Sequence, residues 1–121
     1  MTNTNKPGGM TIFLDLDGTV VHHNYDPDSV PDQPLVRCIR DLALFISRQQ
    51  HPCVLIITTG RSSAHAYQSI RLLHSYKIFP DLIIHSLPVG QRILINDSNS
   101  DAITARALCV ARNQDEPFLT T

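Results

Sequence analysis

The sequence predicts an α/β fold: a mostly parallel sheet of five strands with helices on both faces. Three observations carry that expectation. Short apolar runs alternate along the chain with stretches at helical spacing, an order that builds parallel sheets through crossover connections. The run Cys53–Thr58 (CVLIIT) is apolar without interruption, as in a strand covered on both sides. Turn formers follow the first two runs, with Asp17-Gly18-Thr19 after one and Thr59-Gly60-Arg61 after the other.

Taken in order, strand one is expected over residues 11–16, where Thr11, Ile12, Phe13 and Leu14 favour extended chain. Residues 17–31 (DGTVVHHNYDPDSVP) are turn-rich and read as a flap-like connection. From Asp32 to about Gln50, Leu35, Ile39, Leu42 and Ile46 recur at helical spacing, with Pro34 acceptable in a first turn. His51-Pro52 ends that helix, and Cys53–Thr58 is strand two. A second helix is expected over about residues 62–76, a third strand at Asp81–His85 and a fourth at Arg92–Asn96 (RILIN). Ser98 to Leu108 reads as a short helix and Leu108–Ala111 as a short fifth strand. This gives one domain over residues 11–112, a disordered leader over residues 1–10 and a flexible tail over residues 113–121.

Composition narrows the function classes. Hydrophobic content of 42% with mixed charges suits an ordinary soluble globule. A formal net charge of −1 gives no electrostatic case for nucleic acid or membrane surfaces. No apolar run approaches the ~20 residues a bilayer requires. Cys38, Cys53 and Cys109 lack metal-ligand spacing and read as reduced and mostly buried, which suits a cytoplasmic protein.

The most informative stretch is Phe13–Val21 (FLDLDGTVV). Asp15 and Asp17 stand in i, i+2 register where strand one leaves the sheet, so both project to one side. Unpaired carboxylates are costly in a core, whereas a pair at a strand's carboxyl end can share a hard cation and leave one oxygen free to attack phosphorus. Asp-Leu-Asp-Gly-Thr-Val after a hydrophobic strand resembles the first motif of haloacid dehalogenase-type (HAD) phosphohydrolases. The resemblance implies a Rossmann-like three-layer sandwich, an aspartyl nucleophile (Asp15), a general acid/base (Asp17) and Mg²⁺.

Further positions extend the resemblance over residues 11–111. Thr59-Gly60-Arg61 after strand two is similar to the family's second motif and implies that Thr59, with Thr58 in reserve, holds phosphate together with the amides of Gly60 and Gly18. A helix cap at Thr59 or Ser62 is the bland alternative. Asp97 and Asp101 after strand four are similar to its fourth motif, with Asp97 beside Asp15 and Asp17 on the metal and Asp101 behind it. Helix capping by Asp97, Ser98 or Ser100 is the rival there. The family's basic residue is left open among Lys77, Arg92 and Arg61, and the slot a dozen residues before the acids holds His85-Ser86. His22 and His23 on the flap read as surface groups, of which at most one faces the site.

Neither gap between motifs can hold a cap domain, so a capless member is implied. The expected activity is Mg²⁺-dependent hydrolysis of a small phosphorylated metabolite, a sugar phosphate first, with no nucleic acid or membrane partner. A homo-oligomer is expected, its neighbouring subunit closing the flap at residues 20–31 through Val20, Val21 and Val30. A degenerate phosphate- or Mg²⁺-binding domain acting through a partner is the alternative. A receiver-type phosphoacceptor is disfavoured, because the acid pair is on strand one and Arg112-Asn113 follows strand five.

Overall fold

A computed structural model describes residues 9–23, 32–98 and 104–120 of the chain. β1 (Met10–Asp15) alternates sides, burying Leu14 against the core while Phe13 on the other face stays 54% exposed. It pairs in parallel with β2 (Cys53–Thr58), and β2 pairs in parallel with β3 (Leu82–Ile84). The order is β1-β2-β3, with Asp15, Thr58 and Ile84 in register at the carboxyl ends.

Two helices make the crossovers, α1 (Val36–Ser47) and α2 (Ser63–Ser75). Both crossovers step the same way across the sheet, so right-handed connections put both helices on one face. Ile39 and Leu42 of α1 and Ile70 and Leu73 of α2 accordingly share a core with Leu14, Leu16, Leu55 and Ile57. The α/β class is thus present as a three-stranded parallel sheet with one covered face. The opposite face, with Phe13, Val54, Leu82 and Ile84, is exposed.

Several expectations need correction. Residues 92–98 and 104–111 are irregular, so among the described residues no fourth or fifth strand and no Ser98–Leu108 helix forms. Ile95 is 91% exposed. A short apolar run encodes readiness to pair, whereas pairing itself depends on a distant edge that the run does not specify. Helix α1 begins at Val36, not Asp32, because residues 33–35 run alongside residues 20–22: His22 N–H donates to the Gln33 carbonyl and Leu35 N–H to the Val20 carbonyl, each at 2.8 Å. Val20 and Val21 are fully buried in the core, which removes them from any subunit contact; Val30 lies outside the described residues. Of the three free cysteines only Cys38 is buried, Cys53 being partly covered and Cys109 exposed.

The tail expected to be flexible is instead bonded to α1 over residues 113–120. Helix α1 has no side-chain cap of its own at Leu35. Asp115 supplies one from 77 and 78 residues away, its Oδ1 accepting the N–H groups of Cys38 and Arg37 at 3.1 and 2.7 Å. Asp41, 4% exposed, accepts the main-chain N–H groups of Phe118, Leu119 and Thr120 at 2.8, 2.7 and 3.0 Å, and also the Thr120 hydroxyl. These bonds satisfy a carboxylate and a run of amides together, which composition does not reveal.

Candidate functional site

The acids of the Asp-Leu-Asp motif sit where β1 leaves the sheet. Leu16 between them is fully buried, and its carbonyl accepts the N–H groups of Thr19, Val20 and Val21 at 3.2, 3.0 and 3.1 Å. Gly18 closes the turn by donating to the Val21 carbonyl at 2.7 Å, with a φ of +83° that favours glycine. A Cβ there would also stand 2.9 Å from the Arg112 Cγ.

Asp15 is partly open to solvent. Its Oδ2 accepts the Thr19 hydroxyl at 3.2 Å, and its Oδ1 lies 3.7 Å from the Arg92 guanidinium. Burial pushes the Asp15 carboxyl above its ordinary value, outweighing the downward pull of Arg92 and Thr19. Of the basic residues left open by the sequence, Arg92 is therefore the one at Asp15. Lys77 is exposed at the end of α2, and Arg61 is committed elsewhere.

Arg61 binds Asp17. Its Nε donates to both carboxylate oxygens at 3.0 and 3.1 Å and its Nη2 to Oδ1 at 2.7 Å. The same Nη2 lies 2.8 Å from Asp32 Oδ1, and Nη1 donates to Ser69 Oγ at 2.9 Å. Ser69 in turn donates to Asp32 at 2.6 Å, closing a largely buried network across the acid turn, the segment before α1 and the middle of α2. Burial alone would lower the Arg61 pKa; its bonds to Asp17 and Asp32 outweigh this and raise it, so the guanidinium stays charged. Asp32 and Ser69 carry no motif, and only their three-dimensional meeting with Arg61 identifies them.

Thr59 is fully buried, and its Oγ1 accepts the Arg61 N–H at 3.1 Å. Thr58, the register partner of Asp15, shares that residue's sheet face. Gly60 is exposed beside the Leu87 carbonyl, 3.3 Å from where a Cβ would stand. The rival capping role belongs to Ser62, whose hydroxyl accepts the His65 N–H at 3.4 Å at the start of α2.

The structure brings Asp15, Asp17, Gly18, Thr58 and Thr59 to one end of the sheet. Asp97 is exposed on irregular chain, and Asp101 lies outside the described residues. Among the described residues no three His, Cys, Asp or Glu side chains gather closely enough to hold a metal ion. The Asp15 carboxylate is partly open to solvent, whereas the Asp17 carboxylate is held by Arg61. His22 is exposed, with its Nδ1 3.1 Å from the His23 carbonyl. No helix among the described residues is long and apolar enough to cross a membrane. No family model, curated protein or solved structure matches the chain.

Proposed function

We propose that the chain is a Mg²⁺-dependent phosphatase of the HAD type, acting on a small phosphorylated metabolite, a sugar phosphate by preference. The observation that carries this reading is Asp15 itself: a partly open carboxylate at the carboxyl end of a parallel strand, with Asp17 two residues on. Ligands of open α/β sheets collect at that end. In the proposed reaction an Asp15 oxygen attacks phosphorus, the bond to the leaving oxygen breaks as Asp17 gives that oxygen a proton, and an aspartyl-phosphate forms. Water, deprotonated by Asp17, then cleaves the acyl phosphate. Mg²⁺ held by Asp15, the Asp17 carbonyl and Asp97 would offset the repulsion between carboxylate and phosphoryl group.

The same reading assigns the five-stranded, three-layer form to the whole fold. Arg92–Asn96 would pair along the outer edge of β1 and Leu108–Ala111 beyond it, bringing Asp97 beside Asp15, and the Ser98–Leu108 helix would cover the face that carries Phe13. A parallel strand there would put Arg92 about 13 Å from its carboxyl end. The Arg92–Asp15 contact and that strand are therefore alternatives.

One observation favours a second reading, a catalytically weak domain that binds phosphate or Mg²⁺ for a partner. Arg61 holds both oxygens of the Asp17 carboxylate, so that side chain must leave those bonds to carry a proton to or from a substrate. Turnover of p-nitrophenyl phosphate and sugar phosphates separates the two. The phosphatase reading expects Mg²⁺-dependent hydrolysis, and absence of turnover on every phosphoester would leave the binding domain.

A further inference from the structure

The segment 113–120 reaches the acid-bearing turn as well as α1. The Asn113 N–H donates to the Gly18 carbonyl at 2.9 Å, and the Asn113 Oδ1 accepts the His23 N–H at 2.6 Å across 90 residues of sequence. Asn113 adopts a φ of +62°, a left-handed conformation that asparagine tolerates better than most residues. Two carboxylates fix the segment further along: Asp115 on the first turn of α1 and Asp41 beneath residues 118–120. The Cys38 thiol donates to the Gln114 and Glu116 carbonyls at 3.2 and 3.1 Å and is covered by them.

We propose that Asn113 is a positioning residue for the acid-bearing turn, clamping residues 18 and 23 from a segment that Asp41 and Asp115 anchor to α1. The turn between those two points sets the Thr19 hydroxyl on Asp15 and the Gly18 amide on Val21. Residues 20–22 are also held by residues 33–35, and Asp17 by Arg61; the clamp adds a hold on Gly18 and His23 from the segment packed on α1. The positioning rests on geometry, whereas its effect on turnover rests on the phosphatase reading.

Two full-length variants separate the roles. Asn113→Gly keeps the left-handed backbone but loses the side-chain acceptor, while Asn113→Asp keeps both. Amide hydrogen exchange at Gly18, Thr19, Val20 and Val21 should quicken about tenfold in Asn113→Gly and return to wild-type rates in Asn113→Asp. Cys38 should stay slow to react with a thiol reagent in both, with exposed Cys109 as the fast reference. On a phosphoester, Asn113→Gly should lower kcat by roughly ten- to a hundredfold with KM within about twofold, as expected for misplacement of a reacting group. Unchanged exchange at residues 18–21 in Asn113→Gly would overturn the proposal, as would rapid Cys38 labelling, which would make Asn113 an anchor. Quickened exchange in a protein that hydrolyses no phosphoester would uphold the clamp and dismiss the phosphatase reading.

Discussion

Lys77 shows how a residue's chemistry is settled by its backbone. Its φ is +65°, and the bonds Lys77 N–H to His74 and Ile78 N–H to Leu73 form a Schellman closure of α2. Ile78, 2% exposed, packs into the core just beyond it. A lysine in this conformation costs about 1 kcal/mol relative to glycine. Lys77→Gly should therefore raise unfolding stability by about 1 kcal/mol in urea denaturation and leave any turnover unchanged; destabilisation would mean that its side chain does more than point to solvent. Arg61 is the opposite case. Replacing it with methionine leaves Asp17 and Asp32 facing each other with little access to water, at a cost of about 3 kcal/mol. A loss below about 1 kcal/mol would show that water replaces the guanidinium readily. The sequence singled out Arg61 as a possible phosphate cation, but not as the bridge between two acids. Nothing in a one-dimensional pattern pairs position 61 with position 32.

Among the elements, strands and helices with strong periodicity were legible and their ends were not. β1, β2, α2 and β3 lie within a residue or two of expectation, since each is bounded by a local signal such as Ser62 at its cap or Asp81 before a strand. The start of α1 was misplaced because the pairing of residues 33–35 with residues 20–22 is non-local. Segment 113–120 was misread for the same reason, its polar residues serving as caps for another element. That segment carries a pH signature. Burial pushes the Asp41 carboxyl up, but the Thr120 hydroxyl and the Leu119, Phe118 and Thr120 amides outweigh it, so the carboxyl is held below its ordinary value. A group depressed in the folded state stabilises above its unfolded pKa of about 3.9 and loses that stabilisation as pH falls through the folded value. Thermal stability should therefore fall on acidification below about pH 4, and Asp41→Asn should be less stable at neutral pH with a shallower acid decline. Parallel pH profiles for the two proteins would remove Asp41 from that account.

For the molecule as a whole, the acid motif was legible because its parts are adjacent in sequence, and Asp97 was not placed because its position depends on strand pairing. Among the described residues no strand pairs with the outer edge of β1, which is where the proposed fourth strand would add. Protection of the Ile93, Leu94 and Ile95 amides from exchange would support the fourth strand, and free exchange would support the irregular chain seen here. Closure by a second copy would appear as a dimer in light scattering, whereas a monomer fully active on a small phosphosugar would dismiss it. The central claim is the nucleophile. Rapid acid quench of the protein with Mg²⁺ and a radiolabelled phosphoester should trap a covalent acyl phosphate on the peptide containing Asp15. Asp15→Asn should abolish both label and turnover, because an amide is a poor nucleophile and metal ligand. Turnover that continues in Asp15→Asn, or label on a different residue, would contradict the account.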